Sequence, residues 1–458
     1  LQGITTGGNN VAVGSGACQT ATTTSDLVLL GKSAGNLFDG TGPNGSIAIG
    51  TSALAVHTTG ARNIAIGWEA MHDTNAGSTA QGSSDNVFMG YAAGGGTWAD
   101  VASNQNCAIG HYSMDAVLSG ALNNTALGNY SLSSLTTGDS NVALGYSAGG
   151  SLTSGGTNIL IGRSAGGAGT DLASAVIIGH LAGDAINTNN SQGSVLIGYQ
   201  AGTTQTGGVN TYIGYDAGRY NVTGTYNTTV GFESGMNATG SSNSFFGYQA
   251  GKGGTTSAPY SSGTHNTALG NQALGGFTTG GSNTAIGYAA GNSIKTGTEN
   301  AFLGYNAGYN ATGSMSYGVA IGSHAGYQNN NGSVVYIGRY AGFAGSGAIG
   351  GGNIGIGYQA LFTNRSSDET GMKWNIAIGR AAMSNTTDTL GAAHSNVAIG
   401  YTALKNIESG SRNIAIGGQE GGGDGGSGEF LKNGDDNTFV GAKACLLYTS
   451  PSPRDKRQ

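Results

Sequence analysis

Asn283-Thr284-Ala285-Ile286-Gly287-Tyr288-Ala289-Ala290-Gly291 recurs, with small changes, along the whole chain. Asn141-Val142-Ala143-Leu144-Gly145-Tyr146-Ser147-Ala148-Gly149 is one near-copy, and Asn396-Val397-Ala398-Ile399-Gly400-Tyr401-Thr402-Ala403-Leu404 is another. With the central glycine as anchor, 24 copies run from Gly14 to Gly441. Nine of the 23 spacings are 17 residues, and all lie between 16 and 24. A near-constant period of this size marks a stacked repeat array.

Aligning the copies turns the chain into columns. Four residues before the anchor stands Asn in 18 of 24 copies, among them Asn63, Asn141, Asn283 and Asn396. Three before it the column is mainly β-branched (Ile64, Val142, Thr284), and one before it the residue is always large and apolar (Ile66, Leu127, Phe246). These two columns lie two apart and share one face of a short strand. The column between them, two before the anchor, is Ala in 12 copies and elsewhere as large as Phe88, Phe245, Phe302 or Tyr336. Its changing volume predicts the outer face of the coil, an apolar face that a second copy of the chain would cover.

Three residues after the anchor, 23 of 24 copies have Ala or Ser, Glu420 being the exception, and the next column is mostly Gly, Leu or Met. So small a column predicts a tight corner. Gly67, Gly145, Gly287 and Gly400 are expected to hold a backbone conformation closed to other residues, or to let another chain approach closely. The Asn column is expected at a corner in left-handed geometry, its stacked amides forming a hydrogen-bonded ladder.

Composition agrees with an ordered, weakly charged rod. Charged residues are 9%, hydrophobic residues 38%, and glycine supplies 89 of 458 positions. A net charge of −6 without clustered Lys or Arg argues against nucleic acid. No apolar run reaches the roughly 20 residues of a membrane-spanning helix. The chain reads as one array over 1–444, a fragment at both ends. Residues 445–458, including Cys445-Leu446-Leu447-Tyr448-Thr449-Ser450-Pro451, resemble a translated transposase-type sequencing adapter and read as a non-native scar.

The Asn-x-Ala-Ile-Gly strand followed by a small-residue corner resembles the head repeats of trimeric autotransporter adhesins, and is similar to collar and shaft repeats of bacteriophage tail fibres. The resemblance covers residues 10–444. It implies an all-β fold in which each chain winds a left-handed parallel β-roll; with the copies counted above, that is a β-solenoid of about 24 coils with a base period near 17 residues. It also implies a homotrimer and an extracellular place on a cell surface or virion. The expected function is a non-enzymatic surface fibre segment that presents loops to a host receptor or glycan.

Longer loops interrupt the period at roughly 72–85, 252–265, 362–374, 384–395 and 421–436, with a moderate one at 95–105 that includes Trp98. Insertions in such arrays gather on one edge and often bind. The candidate receptor-binding loops are 362–374 and 384–395. They offer Phe362, Arg365, Asp368, Glu369, Lys373, Trp374, Asp388 and His394, a concentration of charge and aromaticity in a chain short of both.

Other signals are weaker. Cys18 and Cys107 occupy apolar columns and read as inert small hydrophobes. No Cys or His spacing supports a metal, and no cofactor motif is present. His111 and His180 follow an anchor glycine, where Tyr91, Tyr146, Tyr199, Tyr288 and Tyr305 also stand. That column reads as an aromatic ladder, with an exposed sugar-stacking stripe as the alternative. A polysaccharide-cleaving spike would need two carboxylates in one groove, from Asp368 and Glu369 or from Asp435 and Asp436. A passive matrix or ice-binding solenoid would show a Thr-x-Thr stripe on a strand, whereas the Thr pairs here lie in turns.

Overall fold

The computed structural model describes residues 6–444 except 39–41, 75–81, 100, 187–191, 256–259, 311–314, 330–331, 345–349, 364–371, 385–392 and 419–424. These residues contain no α-helix and 24 three-residue strands, one for each repeat. The chain divides into two compact units, Leu1–Thr228 and Thr229–Gln458, each a parallel β-solenoid with a period near 17 residues. In the first, β1 (Val11–Val13) to β12 (Thr211–Ile213) pair in chain order. In the second, β14 (Ser244–Phe246) to β24 (Thr438–Val440) do the same. Short β13 (Thr228–Val230) straddles the division.

Pairing is strictly in register. Val142, Ala143 and Leu144 of β8 (Val142–Leu144) lie beside Ile159, Leu160 and Ile161 of β9 (Ile159–Ile161). Each column is therefore a row of equivalent side chains one coil apart, and every column argument becomes a contact argument.

The inside and outside of the strand are the reverse of the sequence expectation. The central residue points into the coil: Phe88, Phe245, Phe302 and Tyr336 are all buried. The flanking columns face outward, and Leu127, Val142, Leu144 and Ile159 are about two-fifths exposed. An uncovered apolar face exists, but it is built from the β-branched and aliphatic columns. A strand of three residues between two sharp turns has one inward position, and the middle one takes it.

The varying volume of that inner column is balanced six residues later. Where the strand centre is Ala or Gly, the position four after the anchor is often Leu or Met, as in Ala65 with Met71, Ala126 with Leu132 and Gly355 with Leu361. Where it is aromatic, that position is glycine in five of six copies: Phe88 with Gly94, Tyr212 with Gly218, Phe245 with Gly251, Phe302 with Gly308, Tyr336 with Gly342; after Phe439 it is Cys445. A core packed to constant density requires this exchange. The buried tyrosine hydroxyls are met by polar partners, Asn329 Nδ2 donating to Tyr336 Oη at 2.9 Å.

The anchor glycines hold the expected positive φ, and the close approach comes from the neighbouring coil of the same chain, not from another chain as expected. Gly145 has φ +134°, and a Cβ there would lie 2.7 Å from the carbonyl oxygen of Gly162. The Asn ladder forms. Asn141 donates from N and from Nδ2 to Asn124 Oδ1, both at 2.9 Å, and from Nδ2 to Gly155 O at 3.0 Å. Asn158 repeats this on Asn141, and Asn283 and Asn396 hold the same place in the second unit. The left-handed residue at this corner is the one before each Asn, as at Arg62 (φ 57°) and Ser140 (φ 59°), and the Asn leads directly into the strand.

Near the last repeats the apparent exception resolves. Ser427 N donates to Gly417 O and Leu404 N to Ser427 O, the bonds made elsewhere by the small corner residue. An insertion displaces the corner to Ser427 and Gly428, and Glu420 lies outside the described residues.

Candidate functional site

The edge that carries the long loops is the corner ahead of the Asn column. Its residue, five before the anchor, is left-handed in all 24 copies. Its side chains stand in water. Arg62 makes a two-point pair with Asp85, at 2.6 and 2.8 Å, and Arg412 does the same with Asp436, at 2.7 and 2.8 Å. The guanidinium hydrogen bonds hold both carboxyls below the usual range.

Loops 362–374 and 384–395 are tied together at this edge. Lys373 and His394 form a parallel bridge, with Ser395 N donating to Lys373 O at 3.0 Å. The other end of the first loop is fixed as well. Thr363 bridges Ala344, and its N donates to Phe343 O at 2.9 Å. Bridges to neighbouring coils therefore hold both ends of the first loop and the far end of the second, as a binding surface on a scaffold requires. Arg365, Asp368, Glu369 and Asp388 lie outside the described residues.

The remaining candidates divide by role. Phe362 is half-buried and stacks on Phe343 at 5.1 Å and 12°, the last rung of a row formed by Tyr309, Tyr327 and Phe343. It supports the coil. His394 is half-buried, and its Nδ1 has no hydrogen-bond partner among the described residues. Lys373 and Trp374 are exposed, the indole lying against Gly352 of the preceding coil, where any side chain would strike it. The 95–105 loop behaves differently: Trp98 is buried edge-on to Phe88, and its Nε1 donates to Gly94 O at 3.0 Å. That insertion fills the core.

The column after the anchor glycine is an aromatic ladder. Tyr199 and Tyr215 stack at 4.8 Å and 16°, Phe232 and Tyr248 at 5.4 Å and 7°, Tyr288 and Tyr305 at 5.1 Å and 11°. His111 and His180 are rungs beside Tyr91 and Tyr199. Rings stacked face to face turn only their edges to water, so these stacks cannot also offer faces to sugars. Free faces occur at the loop-bearing edge instead. Tyr226, Tyr317 and Trp374 are each more than three-fifths exposed, and among the described residues no ring stacks on them. Sequence reasoning missed this because it looked for an aromatic column, whereas these three rings are scattered within a polar one.

Two of the four acidic candidates, Asp435 and Asp436, are engaged in structure, and Asp368 and Glu369 lie outside the described residues. Asp435 accepts from Ser411 N at 2.8 Å, and Asp436 is held by Arg412. The Asp436 carboxyl, stabilised as the anion by Arg412, is a poor general acid. Burial pushes the Cys18 and Cys107 thiols up, away from the reactive thiolate. Among the described residues no three His, Cys, Asp or Glu side chains converge as a metal site. Compared with family models and with curated proteins, the sequence matches none.

Proposed function

We propose that this chain is a segment of an extracellular surface fibre, a bacterial adhesin head or phage tail fibre, that self-associates and presents loops for attachment to a host receptor or glycan. The observation that carries this reading is the outward apolar strand face. In the first unit it includes Leu127, Val142, Leu144 and Ile159, and in the second Leu269, Leu303, Ile414 and Ile416, all at least two-fifths exposed. A row of such side chains exceeds what a lone soluble chain ordinarily leaves in water. Copies of the same chain are its natural cover, because an in-register column matches its own repeat. The number three comes from the resemblance to adhesin heads. The loop-bearing edge, with its bridged bases and free aromatic faces, is the attachment surface.

Sedimentation of residues 10–444 tests the assembly. A trimeric mass is expected, and replacing Leu127, Leu144, Leu269 and Leu303 by Lys should release folded monomers, since these side chains lie outside the core. A native chain that sediments as a stable monomer would overturn the reading.

A further inference from the structure

Two consecutive coils of the first unit depart from the chemistry of their corner column. Five residues before the anchor the usual occupants are polar, such as Asn9, Asp26, Ser140, Thr157 and Ser174. Here the column holds Val209 and Tyr226, which are 54% and 66% exposed. Both are left-handed, with φ 57° and 58°. A β-branched side chain in that backbone region is strained, and leaving it in water returns no burial. The left-handed turn belongs to this corner in every copy, so what sets these two coils apart is the apolar surface they keep in water, and that points toward a ligand.

The two side chains border a groove of about 310 Å³, lined also by Thr206, Gly207, Gly208, Thr223 and Thr225. That volume is at the small end for ligand sites, enough for one ring-sized group. Its walls are hydroxyls, peptide groups, a valine and one phenol ring, with no charged side chain among them. An anionic sugar, a nucleotide or a metal ion would find no counter-charge here. A pyranose matches: its C–H face packs on an aromatic or aliphatic wall while its hydroxyls reach hydroxyl and peptide partners. Because no ring stacks on Tyr226 among the described residues, its face is open to such packing.

We propose that the groove between 206–209 and 223–226 binds one uncharged pyranose unit of a glycan, with Tyr226 and Val209 as the apolar platform. This deepens the attachment reading and rests on it for the class of partner. The site lies on different coils from the 362–374 and 384–395 loops.

Saturation-transfer NMR on the full chain, with methyl glycosides of glucose, galactose and mannose, N-acetylglucosamine, and glucuronic acid as the charged probe, tests it. Transfer to at least one neutral pyranoside and none to glucuronic acid is expected. Tyr226→Ser introduces the residue that Ser140 and Ser242 already supply at this corner, so the coil should fold unchanged, as circular dichroism would verify. Its affinity for the bound glycoside should fall at least about tenfold. Val117→Ser, at an exposed apolar side chain of another coil, is the control that should leave that affinity unaltered, and Trp374→Ser reports on the loop edge. Absence of transfer from every neutral pyranoside, equal binding of glucuronic acid, or unchanged affinity in Tyr226→Ser would each overturn the proposal. Loss of binding in Trp374→Ser alone would place glycan recognition at the loops, leaving the attachment reading intact and the groove without a role.

Discussion

A Cβ built on Gly94 would lie 2.6 Å from Cδ1 of Phe88, so the ring occupies the space that Met71 and Met114 fill from the equivalent position in neighbouring coils. The pairing is a volume exchange inside one coil. It predicts that Phe88→Ala opens a cavity and costs about 3–5 kcal/mol. Gly94→Leu should also destabilise by collision with the ring. The double variant should recover most of the loss, because Leu54, Leu132 and Leu274 already sit opposite alanine in left-handed backbone. Urea unfolding of the three variants measures the coupling; additive losses would rule the exchange out.

The same relationship explains what was legible in the sequence. Period, strand, anchor glycine and Asn ladder could be read because each is set by a single column. The direction of the strand could not. Variable volume at Phe88, Ala65 and Tyr336 looked like an outer surface, since a core position seems to demand one size. Cores conserve summed volume, and the compensating residues Gly94, Met71 and Gly342 had been assigned to a corner instead. At the candidate site, the position of the loop edge was readable from insertion lengths. The inward turn of Trp98 and the exposure of Tyr226 were not, because loop composition carries no signal for which side a ring takes.

Gly145→Ala should be among the most damaging single-methyl additions. The new Cβ meets the Gly162 carbonyl, and φ +134° is unfavourable for alanine. Gly441 supplies the control. It has φ +120° but, among the described residues, nothing within 4 Å of an added Cβ, so Gly441→Ala should carry only the backbone penalty, about 1–2 kcal/mol. Calorimetry should show a clearly larger loss at Gly145. Equal losses would mean that the approach between coils contributes nothing.

Asn141 lies inside a ladder, and its removal reaches both neighbours. Asn141→Ala takes the donor from Gly155 O and the acceptor from Asn158 N and Nδ2, all buried. Each unmet buried group costs about 1–3 kcal/mol. Asn141→Ser should be milder, because Ser46 Oγ in the same column still accepts from Asn63 N at 3.2 Å. A serine variant as unstable as the alanine one would show that the amide stack, and no single bond, decides the stability.

His57 gives a pH dependence with a defined sign. It is buried, with Nε2 2.8 Å from Gly60 O and Nδ1 2.8 Å from Thr74 Oγ1, and burial lowers its pKa to about 4. The unfolded chain takes up this proton near pH 6.5, before the folded one does. Stability should therefore be level above about pH 6.5 and fall toward about pH 4, by at most about 3 kcal/mol. His57→Gln should remove the slope, Gln205 being the occupant of the equivalent position in another coil. Denaturation midpoints from pH 4 to 8 check it, and an unchanged slope in the variant would assign the effect elsewhere.

The last prediction separates scaffold from attachment. The coils from Gly357 to Gly379 and from Gly379 to Gly400 are 22 and 21 residues long. Deleting 365–369 and 386–389 subtracts five and four, returning both to 17 (22 − 5 and 21 − 4). The deletion removes Arg365, Asp368, Glu369 and Asp388, and leaves the Thr363–Ala344 and Lys373–His394 bridges in place. Loop length alone changes closure entropy little, by less than about 1 kcal/mol. The shortened protein should melt within a few degrees of the native one. Its attachment to receptor cells that the native chain binds should be lost, while pyranose binding at the Tyr226 groove, which lies on other coils, should be kept. Attachment that survives would clear these four charged residues and leave Trp374, still exposed beside Lys373, as the part of the edge to change next.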